Sequence, residues 1–429
     1  MSSKIPSHVH QSMIRDPIHG DVLLPQDIRS LIDTHTFQRL RYIQQLATCH
    51  FAFPSATHTR FSHSIGAFHL ARRLVTHLQR IYPGAISELD GRLVTYGALL
   101  HDIGHPPFSH MLETPEVFAT YASHEAWGKR LLLDPEGDLR SAMTSLVGEE
   151  GLSRLIDILE AKVELPALHE IISSQLDVDR LDYLIRDQRF TGVETGGLDI
   201  TRLFRAIRLT EQGRLAVGRD GLPIVESYLV MRWHMYYLVY FHRISVLTQL
   251  YITKALKRAR QLYERGELTL SAPLTDILVN DELSPQRYCA LTDLPVMNAL
   301  FEWSAHPDAQ LSTLCKRVTS RSEFHRRITG HPLNISTARK LMPELKQLIS
   351  AQGFDPEEDL LLARTQKRGY FPYQEGILTE DGEDVRERSR LVKALESKID
   401  EVMIFVPTSC VDLCVELIKS YLSPALTEG

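Results

Sequence analysis

The sequence predicts a mainly α-helical protein, with a helical core followed by a smaller C-terminal region of mixed helices and strands. Apolar residues recur at three- and four-residue spacing through long segments of the first 260 residues, which is typical of amphipathic helices. After about residue 262 the helices become shorter, Ser/Pro/Asp-rich joints appear and candidate strands follow. We therefore place a core at residues 1–261 and a C-terminal region at residues 262–429, for which we expect a role in oligomerisation or regulation.

The composition is that of a globular protein with a sizeable core, since 43% of the 429 residues are hydrophobic and 24% are charged. The net charge of −6 gives no general attraction to nucleic acid or anionic membranes, so any polyanion site must be local. Five scattered cysteines without CxxC spacing indicate reduced thiols in a cytoplasmic protein. The chain begins without an apolar signal segment and contains no run of 18 apolar residues, so we expect neither secretion nor a membrane span.

Two amphipathic helices are predicted near the N-terminus. The first covers residues 26–46 and is expected to break near Thr34; its polar face carries Gln38, Arg39 and Arg41. The second covers residues 62–82 and ends at a Pro-Gly pair, which places His63 in its first turn.

A nearly all-apolar helix is predicted over residues 92–103, with His101 and Asp102 in its last turn. The negative end of the helix dipole and the cost of burying charge both disfavour an aspartate there. A bound cation would remove both penalties. The later predicted elements are helices at 124–133, 152–161, 166–174 and 178–186, a hairpin at 208–217, one long helix at 224–260, a strand at 401–405 and a helix at 411–422.

Histidine is concentrated in one segment, because eight of the 19 histidines lie between His58 and His124. A divalent cation that activates water and polarises a phosphoryl oxygen needs three or four imidazole and carboxylate ligands and an open position. His63, the adjacent pair His101 and Asp102, and Asp179 on a later Asp-rich helix form such a set of candidates.

Several motifs together resemble the HD superfamily of phosphohydrolases, and specifically its deoxynucleoside triphosphate triphosphohydrolase branch. The similarity runs from about residue 13 to residue 260 and rests on motifs that are highly specific in combination. They are DPIHG at 16–20, FQRLRYIQQL at 37–46, HTRFSHSIG at 58–66, HDIGHPPFSH at 101–110, HE at 124–125 and DVDRLDYLIRD at 177–187.

The resemblance implies that His63, His101, Asp102 and Asp179 ligate one divalent ion, which could be Mn²⁺, iron, Mg²⁺, Zn²⁺ or Ni²⁺, with additional Mg²⁺ entering alongside the substrate. It also implies that Arg60, one helical turn before His63, clamps a phosphate; guanidinium geometry suits bidentate phosphate binding.

A second set of polar residues is expected to be catalytic by the same resemblance: His105, His110, Glu113 and His124. His110 and Glu113 are three residues apart, so the carboxylate can orient the imidazole as a general acid or base. Some relatives have aspartate at the position of Glu113, which leaves open which group transfers the proton. His105 fits a structural role as well as a direct one.

The sugar is expected to lie against Tyr183, with Asp187 and Gln45 at its 3′-hydroxyl and His242 in the same pocket, as the resemblance implies. Asp179, Tyr183 and Asp187 are spaced by four residues and so share one helical face. Close packing at C2′ would reject ribonucleotides.

The activity implied is hydrolysis of a deoxynucleoside triphosphate (dNTP) to a deoxynucleoside and inorganic triphosphate by a homo-oligomer. Asp33, Gln38 and Arg41 match positions that bind a regulatory nucleotide in some relatives, although they equally suit a subunit interface. Two alternatives remain: an HD-type nucleotidase or phosphodiesterase acting on other nucleotides or nucleic-acid ends, and a nucleotide-binding sensor without catalysis. Nucleic acid is a less favoured partner, because the local basic patches lack interleaved aromatic residues.

Overall fold

The structure is a computed structural model that describes residues 12–328, 333–368, 370 and 376–422. It is dominated by helices, which confirms the mainly α fold class. The helices of the first 264 residues are α1 Gln26–Ile32, α2 His35–Gln38, α3 Arg60–Ile81, α4 Glu88–Leu100, α5 His124–Leu133, α6 Asp138–Leu159, α7 Ala167–Glu170, α8 Val178–Thr191, α9 Ile200–Ala206, α10 Leu222–Met235 and α11 Arg243–Glu264.

The later helices are shorter. They are α12 Ala272–Leu278, α13 Pro285–Cys289, α14 Asp293–Trp303, α15 Ala309–Thr319, α16 Ile335–Ala351, α17 Pro356–Asp359, α18 Val385–Arg388, α19 Arg390–Ala394 and α20 Val411–Leu422. The strands are β1 Ser12–Asp16, β2 Gly20–Leu24, β3 Ile207–Leu209, β4 Leu215–Val217, β5 Arg326–Arg327, β6 Leu361–Arg368, β7 Leu378–Thr379 and β8 Lys398–Val406.

Three small sheets accompany the helices. Strands β1 and β2 form an antiparallel hairpin, and β3 and β4 form the predicted hairpin near Gly213, to which β7 adds in parallel. The C-terminal sheet has the order β5-β8-β6, with antiparallel pairing throughout. Its central strand β8 contains the predicted strand 401–405, and helix α20 matches the predicted helix 411–422.

The predicted helix 26–46 is divided at Thr34, as expected, but it ends early. Thr34 caps α2 by accepting a hydrogen bond from the backbone N–H of Phe37 at 3.3 Å. A 3₁₀ turn follows, and at Ile43 the chain becomes extended, where its carbonyl accepts a hydrogen bond from the backbone N–H of Arg60 at 3.0 Å. This pairing between distant segments, invisible to local periodicity, overrides the helical pattern and aligns residues 43–45 beside the start of α3.

The predicted helix 92–103 is shifted towards the N-terminus. Ser87 caps α4, which begins four residues earlier than expected, and the helix ends at Leu100, so His101 is its C-cap and Asp102 lies in the following turn. The turn is forced by close packing at Gly104, where a Cβ atom would lie 2.0 Å from the carbonyl oxygen of His124. The prediction that both residues lie in the last helical turn is therefore wrong, since His101 lies one residue and Asp102 two residues beyond the end of the helix.

The long helix predicted at 224–260 is broken into two. A π-helical turn, Tyr236–Tyr240, follows α10, and the side chain of His242 caps α11 by accepting a hydrogen bond from the backbone N–H of Ile244. No proline or glycine marks this break, which explains why the apolar periodicity predicted one continuous helix. Such π-turns are frequent at functional sites, because the extra residue redirects side chains.

The main hydrophobic core runs through the helices and also includes C-terminal residues such as Leu361, Tyr370 and Phe405. A second, smaller core lies between the C-terminal sheet, α16 and α20, and it includes both Cys410 and Cys414. All five cysteines are free and buried. Helix α11 crosses the expected boundary between residues 261 and 262, and that boundary stays a prediction. Of the helices that the structure describes, none has the length and apolarity to cross a membrane.

Candidate active site

Helix α8 places three of the expected site residues on one face. It begins after Asp177, whose carboxylate accepts a hydrogen bond from the backbone N–H of Arg180 at 2.7 Å. Asp179 lies in its first turn, and Tyr183 and Asp187 follow at four-residue intervals. Fourteen residues of continuous helix thus confirm the spacing argument, and they orient these side chains along one line.

The structure brings His63, His101 and Asp179 together, with one potential ligand atom from each lying within 4.8 Å of the others. His63 Nε2 lies 3.0 Å from Asp179 Oδ1 and 3.3 Å from His101 Nε2. Asp102 lies at the same place, with Oδ2 3.6 Å from His63 Nε2 and Oδ1 3.3 Å from His101 Nε2. Four side chains from three separate segments therefore converge.

The donor set fits a divalent cation. His63 Nδ1 donates to Asp182 at 2.9 Å, and His101 Nδ1 donates to the carbonyl of Ala98 at 2.8 Å. In their neutral forms both imidazoles consequently direct Nε2 lone pairs at each other across 3.3 Å. Those lone pairs repel unless a proton or a cation lies between them, and two imidazoles with carboxylates are ligands that first-row divalent metals prefer.

The electrostatics of the cluster favour positive charge. Burial opposes protonation of His63, but hydrogen bonds to Asp179 and Asp182 outweigh it and raise the pKa of the imidazole to about 10. Burial likewise opposes ionisation of Asp179, yet hydrogen bonds from His101 and His63 hold the pKa of that carboxyl well below its usual range. The excess negative charge that retains this proton would equally attract a cation.

Arg60 is buried directly beside this cluster. Its Nη1 donates to Asp102 Oδ2 at 2.5 Å, and its Nε donates to the hydroxyl of Ser109 at 2.7 Å. Burial raises the pKa of Asp102, but the charges of Arg60 and His101 dominate and keep that pKa well below the usual value. The arginine thus lies within hydrogen-bond distance of Asp102, one of the four candidate ligands.

Sequence reasoning missed Asp182, which supports the cluster from behind. This fully buried carboxylate accepts hydrogen bonds from His63, from His19 Nε2 at 2.6 Å, and from Arg186 Nε and Nη2 at 2.8 and 2.9 Å. Arg186 also donates to Asp16 Oδ2 at 2.8 Å, so the N-terminal hairpin takes part. The DPIHG motif and the four-residue spacing of an aspartate and an arginine on α8 were the available signals.

The second expected group also converges. His105, His110, Glu113 and His124 offer ligand-type atoms that all lie within 4.8 Å of one another. Glu113 accepts a hydrogen bond from His110 Nδ1 at 2.8 Å and from His124 Nδ1 at 3.0 Å, and His105 stacks on His124 with ring centroids 4.0 Å apart. His105 Nε2 lies 3.2 Å from Asp102 Oδ1, which connects the two groups.

The second group contains an ionised carboxylate and a neutral imidazole. Burial opposes ionisation of Glu113, but hydrogen bonds from His110 and His124 hold the pKa of its carboxyl well below the usual range. Burial and the nearby Arg60 charge lower the pKa of His105 well below its ordinary value, so this imidazole stays neutral. The group therefore pairs an ionised carboxylate with two imidazoles, an arrangement suited to proton transfer.

Asp293, which is distant in sequence, holds two loops of the site together by hydrogen bonds. Asp293, at the start of α14, accepts hydrogen bonds from the backbone N–H of Phe108 at 2.7 Å and of Gln44 at 2.9 Å. Phe108 and Ser109 both have left-handed backbone conformations, with φ of 54° and 55°. The Ser109 hydroxyl donates to the carbonyl of Gln44 at 2.9 Å. No local pattern pointed to Asp293.

The expected sugar-contacting residues lie beyond the first cluster on α8. Tyr183 lies edge-on to His63, with ring centroids 6.3 Å apart, and equally to Tyr240 of the π-turn. The Asp187 carboxylate accepts hydrogen bonds from His58 Nε2 at 2.8 Å and from the Tyr240 hydroxyl at 2.7 Å. Sequence reasoning did not identify His58 or Tyr240 as members of the site.

Two further arginines lie near Tyr183. Arg180 forms an ion pair with Asp177, and buried Arg232 donates to Gln175 Oε1 at 2.9 Å. The Nε atoms of both arginines are buried without a hydrogen-bond partner among the described residues. Tyr183 interacts electrostatically with both guanidinium groups, so two positive charges lie near the Tyr183 end of the site.

The remaining candidates have other partners among the described residues. His242 makes the capping bond already described and lies edge-on to Phe53, with ring centroids 5.1 Å apart. Arg41 donates to Gln38 Oε1 at 2.7 Å and covers the ring of Phe61, while Asp33 forms an exposed pair with Arg29. The structure thus shows the three regulatory candidates on the polar side of the first helical segment.

Two family models match the chain. The HD domain model matches residues 60–187, and the model of the HD associated region matches residues 198–329. These ranges contain Arg60, both histidine groups, α8 as far as Asp187, and the Asp293 clamp. Among curated proteins, protein YwfO of Bacillus subtilis (strain 168) is 31% identical over 399 residues, which cover 90% of this chain and 89% of YwfO.

Relatives with a named activity match over a smaller share. The deoxynucleoside triphosphate triphosphohydrolase SAMHD1 of Homo sapiens is 31% identical over 284 residues, which cover 59% of this chain and 45% of SAMHD1. A phosphohydrolase from Bacteroides thetaiotaomicron VPI-5482 has a similar crystal structure, with a TM-score of 0.79 and 29% identity over 92% of this chain and 99% of that chain.

Proposed function

Because this chain belongs to the HD-domain phosphohydrolase family, we propose that it hydrolyses deoxynucleoside triphosphates to a deoxynucleoside and inorganic triphosphate with one divalent cation. The observation that carries the proposal is the convergence of His63, His101, Asp102 and Asp179 beside the buried Arg60. The similarity to SAMHD1, whose name states this activity, supports the choice of substrate.

Positive charge around the cluster supports a triphosphate substrate. Arg60 lies beside the proposed ligands, and Arg180 and Arg232 lie near Tyr183 with Nε atoms that lack partners among the described residues. Buried guanidinium groups with unused donors are costly unless a ligand satisfies them. We assign Arg60 to the α-phosphate region and the other two arginines to the phosphates beyond it.

The chemistry is a water attack at the α-phosphorus with cleavage of its bond to the 5′-oxygen. His63, His101, Asp102 and Asp179 would hold the cation, which when bound would neutralise charge on the phosphate and lower the pKa of a water. An imidazole of the Glu113 group, His110 or His124, donates a proton to the departing 5′-oxygen, and Glu113 orients it. The water oxygen remains on the triphosphate product, and the proton that the water loses restores the protonated imidazole.

Residues on α8 and in the extended segment before α3 select the sugar. Tyr183 packs beside the first cluster. We assign it to the C2′ side of the sugar, and Gln45 and Asp187 to the 3′-hydroxyl. A ribonucleotide would bring an additional hydroxyl towards the Tyr183 ring, so discrimination would follow from an unpaired polar group or a clash.

The test is direct product identification. Purified protein is incubated with Mn²⁺ and each dNTP or ribonucleoside triphosphate, alone and in mixtures, and the products are identified by mass spectrometry. We expect deoxynucleoside and triphosphate from dNTPs; pyrophosphate, orthophosphate or intact substrate throughout would contradict the proposal. Activity that appears only in mixtures would indicate an activating nucleotide, and its loss in Arg41→Ala would place that nucleotide at Asp33, Gln38 and Arg41.

A further inference from the structure

We propose that His58 is a positioning residue that aligns Asp187 and Gln45 for recognition of the substrate 3′-hydroxyl. The inference rests on the proposed function and adds to it the group that holds the two sugar-contacting side chains in place. His58 precedes α3 and is itself buried, with 6% of its surface exposed.

The first observation is the environment of Asp187. Its carboxylate is 1% exposed, and each oxygen already accepts one hydrogen bond, from His58 Nε2 at 2.8 Å and from the Tyr240 hydroxyl at 2.7 Å. Each carboxylate oxygen can accept a further bond. Two donors from opposite segments of the chain thus set the carboxylate plane and leave acceptor capacity for a substrate hydroxyl.

The second observation is the backbone of His58. Its carbonyl accepts a hydrogen bond from the backbone N–H of Gln45 at 3.0 Å, within the extended pairing between residues 43–45 and 58–60. The side-chain oxygen of Gln45 is buried and has no hydrogen-bond partner among the described residues. His58 therefore connects the Asp187 carboxylate on α8 to the segment before α3 that carries the unsatisfied Gln45 amide.

The third observation is that the imidazole of His58 has one orientation. Its ring stacks on Phe190 of α8, with centroids 4.6 Å apart and an interplanar angle of 23°. Nδ1 is buried without a partner in the described part of the chain, so Nε2 is the nitrogen that makes the functional bond. Phe190 is three residues beyond Asp187, and the same helix thus holds the imidazole plane and presents the carboxylate.

The test compares a dNTP with the matching 2′,3′-dideoxynucleoside triphosphate, which lacks only the 3′-hydroxyl. We expect His58→Leu to lower kcat/KM for the dNTP by about tenfold to a hundredfold, as for loss of a charge-assisted hydrogen bond. The value for the dideoxy substrate should change by less than about threefold, because its reaction never uses the aligned acceptor. The preference for the 3′-hydroxyl should therefore collapse.

His58→Gln is the matched variant, because its amide nitrogen can reach the position of Nε2, and it should restore most of the preference. Tyr240→Phe should reduce the preference in the same direction and provides a second measure if His58→Leu does not fold. Metal content by mass spectrometry and the thermal midpoint are recorded for each variant.

The outcomes separate the two proposals. Equal losses for both substrates in His58→Leu and His58→Gln, or an unchanged preference in all three variants, would make His58 a packing residue and overturn the inference alone. Wild-type protein that consumes neither substrate would overturn the proposed function together with the inference.

Discussion

Asp182 illustrates how single side chains organise the site without contacting a ligand. All of its partners are donors: His63, His19 and Arg186 each direct N–H groups at its two oxygens. A carboxylate that orients a ligand imidazole raises the basicity of the other ring nitrogen and fixes its direction. Asp182 thereby determines that His63 presents Nε2 to the cluster.

Replacing Asp182 with asparagine should weaken metal binding. The amide NH₂ of the asparagine would face an N–H donor, so His63 would lose its fixed tautomer. We therefore expect metal affinity and turnover to fall about 10- to 100-fold. Metal titration followed by mass spectrometry measures the change. Asp276→Asn is the matched control, since Asp276 is similarly buried but pairs with Arg287 away from the site. Equal metal affinity in both variants would reject the role of Asp182.

Asp293 should contribute stability at acidic pH that is lost towards neutral pH. Burial raises the pKa of its carboxyl to about 6, although the backbone donors of Gln44 and Phe108 oppose the rise. The protonated form is therefore favoured by folding, and this contribution to stability is complete below about pH 4 and is lost as the pH rises to about 6.

The comparison with Asp293→Asn isolates this effect, because the variant does not titrate. The unfolding free energy of the wild type relative to the variant should fall by roughly 2–3 kcal/mol between pH 4 and pH 7. Denaturant titrations of both proteins at several pH values measure it. A difference that stays constant across this range, or that increases with pH, would contradict the assignment.

Among the elements, α3 and α8 form the contact on which the site depends. Gly66 of α3 faces the buried Asp182 and Arg186 pair, and a Cβ atom there would lie 1.8 Å from Asp182 Oδ1 and 2.4 Å from Arg186 Nη2. The glycine is therefore needed for close helix approach rather than for backbone freedom. The glycine of the HTRFSHSIG motif thus has a packing explanation.

Gly66→Ala should destabilise the protein, although alanine is the better helix former. Overpacking against a buried ion pair should cost about 1–3 kcal/mol and displace Asp182, so metal affinity should fall as well. Thermal unfolding and metal titration together measure it. In the control Gly128→Ala on α5, the nearest atom lies 3.8 Å from the new Cβ, and no loss is expected. Similar results for the two variants would refute the packing argument.

At the scale of the whole molecule, the C-terminal region is bound to the helical core by a buried polar junction. Asp359 accepts a hydrogen bond from Arg317 Nη2 at 2.7 Å and lies 3.4 Å from His325 Nε2. His325 Nδ1 in turn lies 2.7 Å from the hydroxyl of Tyr251 on α11. The junction connects α11, α15 and α17, and the main hydrophobic core crosses it.

Asp359→Ala should destabilise the whole protein rather than one region. Removal of one partner leaves the buried Arg317 charge unpaired and should cost about 3 kcal/mol. We expect one cooperative transition at a lower temperature, while kcat at 20 °C stays within about twofold, since the junction lies outside the site. Asp381→Ala, which removes an exposed pair with Arg388, should have no measurable effect. Two separate transitions in Asp359→Ala would show that the regions unfold independently.

The sequence alone determined the helical fold class, the spacing of Asp179, Tyr183 and Asp187 on one helical face, and the candidate groups around the HD pair. Periodicity and motif spacing express these features locally, and the family resemblance added roles to them. The early end of the first helical segment, the π-turn and the positions of His101 and Asp102 escaped prediction, because long-range pairing and close packing decide where those helices end.

Only the tertiary structure decided which side chains support the site. Asp182, His58, Tyr240, Arg232 and Asp293 acquire their importance from partners that are up to 249 residues away, and although Asp182 and His58 lie within recognised motifs, the local sequence does not reveal those partners. Burial is the physical reason: a polar group removed from water must find a partner inside the protein, and the identity of that partner exists only once the chain has folded.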